Sequence, residues 1–222
     1  HLAFTLWPDS SDSQARANLR NLFYTLRQTL PDADAYLAAD SMTLQWRADA
    51  SFTLDVAEFE AALAAAKTAV TEADKLHWLE TAVAAYTGDL LPGNYEDWLI
   101  PRREALRQAY QEALHQLVHL LEQAGSYRAA TRCAQLLIQQ DPLNEAAYVQ
   151  VMRLHALSGD RAGVRRAFEQ CVSMLRRELD VAPGPTAQAA YEQLLQLEAP
   201  AAPLPLPETR RDPAQIRPLP LP

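Results

Sequence analysis

The chain has 222 residues, with 28 acids against 20 bases and a net charge of −8 when histidine is neutral. It is 49% hydrophobic with only six glycines, a balance that favours an α-rich globular protein with one large core or two modest ones. The acidity excludes bulk, nonspecific nucleic-acid binding while leaving room for a local basic face, and the short, charge-broken apolar runs exclude a membrane span.

In chain order, "HLAFTLWPDSSDSQ" reads as the tail of a helix, a stop at Pro8 and a polar loop. With no initiator Met and no signal-peptide pattern, this opening reads as a cut into a longer protein. Residues 13–30 then contain no Asp or Glu, although the whole chain is acidic. At 100° per residue, Leu19, Leu22, Phe23, Leu26 and Leu30 form one apolar stripe, as in a helix packed on a core. Gln14, Ala17, Asn21, Tyr24 and Gln28 lie opposite, with Arg16, Arg20 and Arg27 along one flank. Amides and a phenol suit base edges, and guanidiniums suit phosphates. Arg16, Arg20, Asn21, Tyr24 and Arg27 are therefore the candidate DNA-binding residues. The competing reading is a solvated amphipathic helix that lacks acids by chance.

"YLAADSMTLQWR" follows, with alternation that places Met42, Leu44 and Trp46 on one side and Thr43, Gln45 and Arg47 on the other. This predicts a hairpin turning near Asp40-Ser41. Helix, loop, basic helix and hairpin is the order of the second half of a winged helix-turn-helix.

From residue 53 to 198 the pattern is almost continuously helical. Asp55 and Glu58 predict a helix start. A second helix is expected to end at Gly88, before a turn at Pro92-Gly93. A long one runs from about Tyr95 to Ala124, with Pro101 as a kink or a true start. Gly125, Asp141-Pro142, Gly159 and Pro183-Gly184-Pro185 divide the remainder into four further helices. "GSYRAA" at 125–130 aligns with "GDRAGV" at 159–164, a 34-residue offset that matches the tetratricopeptide repeat. The second repeat is degenerate, with Arg176 where a closing proline would stand.

Residues 199–222 are proline-rich, with "PAAPLPLPETRRDPAQIRPLPLP" at 200–222, and read as an extended linker.

Chemical sites are scarce. His115 and His119 share a helix face, but Gln116 stands where a zinc protease needs its Glu base, and no third ligand is evident. Cys133 and Cys171 lack metal-ligand spacing and fit buried apolar roles in a reduced cytoplasm. No catalytic motif is present, so no enzyme, cofactor or metal is expected. Trp7, Trp46, Trp78 and Trp98 are read as core anchors. Arg161, Arg165, Arg166, Arg176 and Arg177 read as a solvated face.

"LWPDSSDSQARANLRNLFYTLRQTLPDA", "TLDVAEFEAAL" and "AYTGDLLPGNYEDWLIPRREAL" together resemble the SARP-type bacterial activators over about residues 1–198. The resemblance implies a mainly α protein in which a partial winged helix-turn-helix precedes a TPR-like α-solenoid. Residues 1–52 would be the C-terminal part of the DNA-binding domain, 53–198 the bacterial transcriptional activator domain, and 199–222 the linker. By resemblance, "ARANLRNLFYTLR" is the recognition helix, and the partners are promoter DNA, RNA polymerase and, as an open alternative, a second copy in a homodimer, with no membrane involved. A TPR-like adaptor that binds only proteins is the alternative function.

Overall fold

Polar caps and prolines set where the helices begin and end. A computed structural model describes residues 1–39, 43–47 and 49–196 of the chain. Two units are present, residues 1–125 and residues from 126 onward. The turn at Asp40-Ser41, Met42 and the proline-rich linker lie outside the described residues.

The first unit opens with α1 (Leu2–Leu6), which stops just before Pro8. Ser11 caps α2 (Asp12–Thr29), its hydroxyl accepting from the Gln14 N–H at 3.4 Å. α3 (Ala33–Tyr36) leads into β1 (Leu37–Ala39), which pairs antiparallel with β2 (Leu44–Trp46) so that Leu37 stands opposite Trp46. The hairpin is thus where the alternation predicts it.

The same unit continues through α4 (Asp55–Thr68), α5 (Glu72–Ala85) and α6 (Leu99–Gln123). Only Ala69, Val70 and Thr71 join α4 to α5, so the two run as a helical hairpin. Ala62, Ala66 and Ala82 are buried there beside Phe59 and Leu79, small side chains that allow a close approach of the two helices.

Three boundaries differ from the sequence expectations. α4 starts with Leu54 at its N-cap, and the Asp55 carboxylate accepts only from the neighbouring Val56 N–H, so Asp55 is a first-turn acid rather than a cap. α5 ends at Ala85, three residues before Gly88. α6 begins at Leu99 rather than near Tyr95, with Pro101 as its third residue, where the first helical N–H groups have no partner within the helix anyway.

The second unit contains α7 (Tyr127–Gln140), α8 (Glu145–Leu157), α9 (Arg161–Leu179) and α10 (Pro185–Gln196). α8 is its centre, packed against α7, α9 and α10. Tyr148, Met152, Leu154, Val164 and Cys171 are fully buried, as are Ala130 and Ala134 on α7. The Tyr148 hydroxyl donates to the Pro142 carbonyl at 3.0 Å, and the Gly184 N–H donates to the Glu145 carboxylate at 2.7 Å, tying the entry of α10 to α8. Burial pushes the Cys171 thiol up to about 11, so it is an inert core group.

The 34-residue offset has a backbone counterpart. Gly125 and Gly159 both have left-handed φ values, 69° and 76°. Gly125 donates to Glu122 O and Ala124 to Leu120 O, and Gly159 and Ser158 repeat those bonds to Ala156 O and Leu154 O. Two helices therefore end on similar turns, the second further closed by the Asp160 N–H donating to the His155 carbonyl at 2.9 Å.

The tryptophans correct an expectation. Trp7 is half-buried, whereas Trp46, Trp78 and Trp98 are exposed, so none is a fully enclosed core anchor. No described helix is long and apolar enough to cross a membrane.

Candidate nucleic-acid interface

α2 contains one buried residue, Ala15. Its apolar stripe is only partly covered: Leu19, Phe23 and Leu30 are half-buried, while Leu22 is 48% and Leu26 38% exposed. The opposite side is open. Arg16, Arg20, Asn21, Tyr24 and Arg27 are all exposed, Tyr24 to 68%. The three arginines fall within about 40° of arc on a helix of 100° per residue and span about 16 Å of its length. Tyr24 lies beside them, and Asn21 further round.

The arginines are not equivalent. Arg16 reaches back one turn to Asp12 at 3.1 Å, an exposed i,i+4 pair that contributes about 0.3–0.5 kcal/mol. Arg27 is held from two sides. Its Nε donates to Asp34 of α3 at 3.0 Å, and its guanidinium lies 5.7 Å from the centre of the Phe23 ring. Arg47, from the strand end, donates to the Asp34 carbonyl at 2.7 Å, so Asp34 links helix and hairpin. Arg20 has no ion-pair partner among the described residues. On the other flank the Gln14 amide donates to Asn18 Oδ1 at 2.8 Å, leaving Asn21 and Gln28 as exposed amides on this side without a side-chain bond among the described residues.

Asp12 and Asp34 were not legible as part of this surface. The acid-free run begins at Ser13, but the helix begins one residue earlier, so an acid sits in its first turn. Asp34 is seven residues from Arg27, across a helix end, where spacing carries no signal.

The loop between α5 and α6 forms a second built surface. Arg103 donates to the carbonyls of Leu90, Leu91 and Asn94 at 2.9–3.0 Å. Arg107 binds Asp89 at 2.6 Å, and the Tyr86 hydroxyl donates to the same carboxylate at 3.2 Å. The Arg107 hydrogen bond holds the Asp89 carboxyl below its ordinary range, against the opposing effect of burial. Tyr86 stacks on Tyr110 at 4.2 Å, and with Phe59 and Leu106 it lines a cleft of about 490 Å³. These bonds give "YTGDLLPGNYEDWLIPRRE" its physical meaning: Arg103 within it and Arg107 just beyond it fasten a glycine-proline turn to α6, whereas Arg102 pairs with Glu60 of α4 at 2.7 Å. Leu91, Tyr95, Trp98 and Ile100 remain exposed on it.

His115 and His119 are exposed, and no group of three potential metal-binding side chains occurs among the described residues.

The described residues thus form helices throughout apart from a small N-terminal hairpin, with a fastened loop and an open basic helix as their distinctive surfaces. Residues 54–195 match the bacterial transcriptional activator domain, and the chain belongs to that family. The likeness to SARP-type activators seen in the sequence is borne out, as is the mainly α fold. Among solved structures the chain is similar to Mycobacterium tuberculosis EmbR, solved in complex with a low affinity phosphopeptide. The TM-score is 0.54 at 23% identity, over 87% of this chain and 53% of that one, a likeness of fold. The chain thus spans about half the length of that protein. A search of curated proteins found no match.

Proposed function

We propose that the chain is the core of a DNA-binding transcriptional activator in which α2 reads promoter DNA and the helical array contacts protein partners. On this reading residues 1–52 are the C-terminal part of a winged helix-turn-helix, 53–198 the activator domain and 199–222 a linker. The observation that carries it is the open face of α2, where Arg16, Arg20 and Arg27 line one edge beside exposed Tyr24 and Asn21. Arg20 supplies an unpaired phosphate contact, Asn21 a donor–acceptor pair for a base edge, and Tyr24 a contact between them. Arg16 and Arg27 join after exchanging their carboxylates for phosphates. RNA polymerase, or a second copy, is met through the exposed Tyr95, Trp98 and Ile100. Cofactors and catalysis play no part, and the setting is cytoplasmic.

The test is retardation of DNA selected from a random pool by the intact regulator, across about 50–200 mM salt. Arg20→Ala should weaken binding to all sequences alike and flatten the log–log salt slope by about one. Asn21→Ala should relax preference at one base pair by about 1–3 kcal/mol. Unretarded DNA at every salt concentration would leave the protein-only adaptor as the better reading.

A further inference from the structure

The outer side of α9 carries charges that its own chain leaves unmatched. Arg165, Glu169, Val172 and Arg176 recur at steps of four, three and four, and Asp180 follows four residues on, at the helix end. At 100° per residue these five positions fall within about 80° of arc, turned away from the buried Val164, Ala167, Cys171 and Leu175. Arg165, Glu169, Arg176 and Asp180 are all exposed, and none has an ion-pair partner among the described residues. The neighbouring bases are engaged, Arg166 with Asp160 at 3.3 Å and Arg177 with Glu178 at 2.8 Å. Along one edge of the stripe the Tyr191 ring of α10 stacks on Phe168 at 4.1 Å. These rings, Val172 and Ser173 line an open cleft of about 740 Å³, in which Glu169 and Arg176 stand two turns apart.

The order of signs along this stripe is self-complementary. About the midpoint between Val172 and Ser173, Glu169 lies as far to one side as Arg176 to the other, and Arg165 as far as Asp180. Both pairs are opposite in charge, so the stripe matches its own reverse. We propose that α9 docks antiparallel on α9 of a second copy, about a two-fold axis at Val172–Ser173. Every contact across such an axis occurs twice, giving two Glu169–Arg176 pairs near the centre and two Arg165–Asp180 pairs at the ends. The alternation of four and three is the seam spacing of paired helices, and charges within a seam fix orientation. A parallel pair in register would set Glu169 against Glu169 and Arg176 against Arg176, so charge selects the antiparallel one. Val172 and the Phe168–Tyr191 stacks of both copies supply the apolar area. This surface is separate from Tyr95, Trp98 and Ile100, which are left to a different partner.

Sedimentation velocity of the full chain, from about 10 μM to about 1 mM, tests this. The parent should pass from monomer to dimer within that range, because one helix stripe per copy buries less than the roughly 1,200 Å² of a stable complex. Glu169→Arg and Arg176→Glu should each raise the dissociation constant at least about tenfold, since each sets like charges opposite one another twice. A chain carrying both changes should recover the dimer. Mixing the two single variants should give a heterodimer at least as tight as the parent dimer, because two bases then meet two acids at the centre of the seam. Five results overturn the proposal: a monomer throughout, a species larger than a dimer, a dimer indifferent to the single reversals, no recovery in the double variant, or single variants that stay apart on mixing.

Discussion

The region from α1 to β2 and the unit from α7 to α10 share amphipathic patterning but not the result. The second unit closes over its apolar stripes: Tyr148, Met152, Leu154, Val164 and Cys171 are all at 0% exposure. The first region buries Ala3, Ala15, Ala33 and Leu37, three of them alanines, and leaves Leu22, Leu26 and Trp46 largely open. Since burial stabilises by about 25 cal/mol per Å² of apolar surface, the same leucine spacing contributes far less in α2 than in α8. A stripe in sequence states which side of a helix is apolar. Whether anything covers that side is a separate fact.

Breaking the well-packed side of this comparison gives the largest expected effect. Met152→Ala should cost about 2–5 kcal/mol and Tyr148→Ala about 3–5 kcal/mol, read from the protection of second-unit amides in hydrogen exchange. Gly163→Ala comes next. An added Cβ would lie 2.2 Å from His155 Nδ1 and 2.5 Å from Asp160 Oδ2, so that ring and the cap of α9 must both give way. Overpacking of this kind costs about 1–3 kcal/mol, and denaturant unfolding of the second unit should report it.

Leu22→Ala sharpens the contrast from the other side. At 48% exposure its removal should cost about 1 kcal/mol or less, with α2 amides already the first to exchange. A loss as large as that for Met152→Ala would mean the N-terminal region is as tightly held as the array.

The smallest expected effect is electrostatic. The folded Asp89 carboxyl is held below its ordinary 3.8, so its bond to Arg107 contributes stability above that pH. That contribution fades as pH falls through the lowered folded value. Asp89→Asn should therefore flatten the acid limb of the stability–pH profile by about 1 kcal/mol or less, since both side chains are 36% exposed.

Much of the architecture was legible because punctuation is local. Pro8, Gly125, Asp141-Pro142, Gly159 and Pro183-Gly184 all fall between helices, Pro185 opens α10, and the alternation around Leu37 and Trp46 gave the hairpin. The misses depend on distance. Three grips by Arg103 on carbonyls nine to thirteen residues away leave no periodic trace, and neither does the Arg27–Asp34 pair. The four tryptophans were misread because their size favours burial while their neighbours decide it. All five nominated residues of α2 proved exposed, but the carboxylates that hold two of its arginines lay beyond the run that drew attention to it.

The paired turns at Gly125 and Gly159 make the chain divisible by length. A block cut after each glycine, residues 126–159, leaves one left-handed turn and arrives at another that shares two of its hydrogen bonds. Copying that block in tandem would rejoin backbone to backbone without a new kind of loop, so only side-chain faces would need to adapt. Growth or shortening by 34 residues is thus a small evolutionary step at these two positions, whereas a few residues added at Leu90–Asn94 would tear carbonyls away from Arg103.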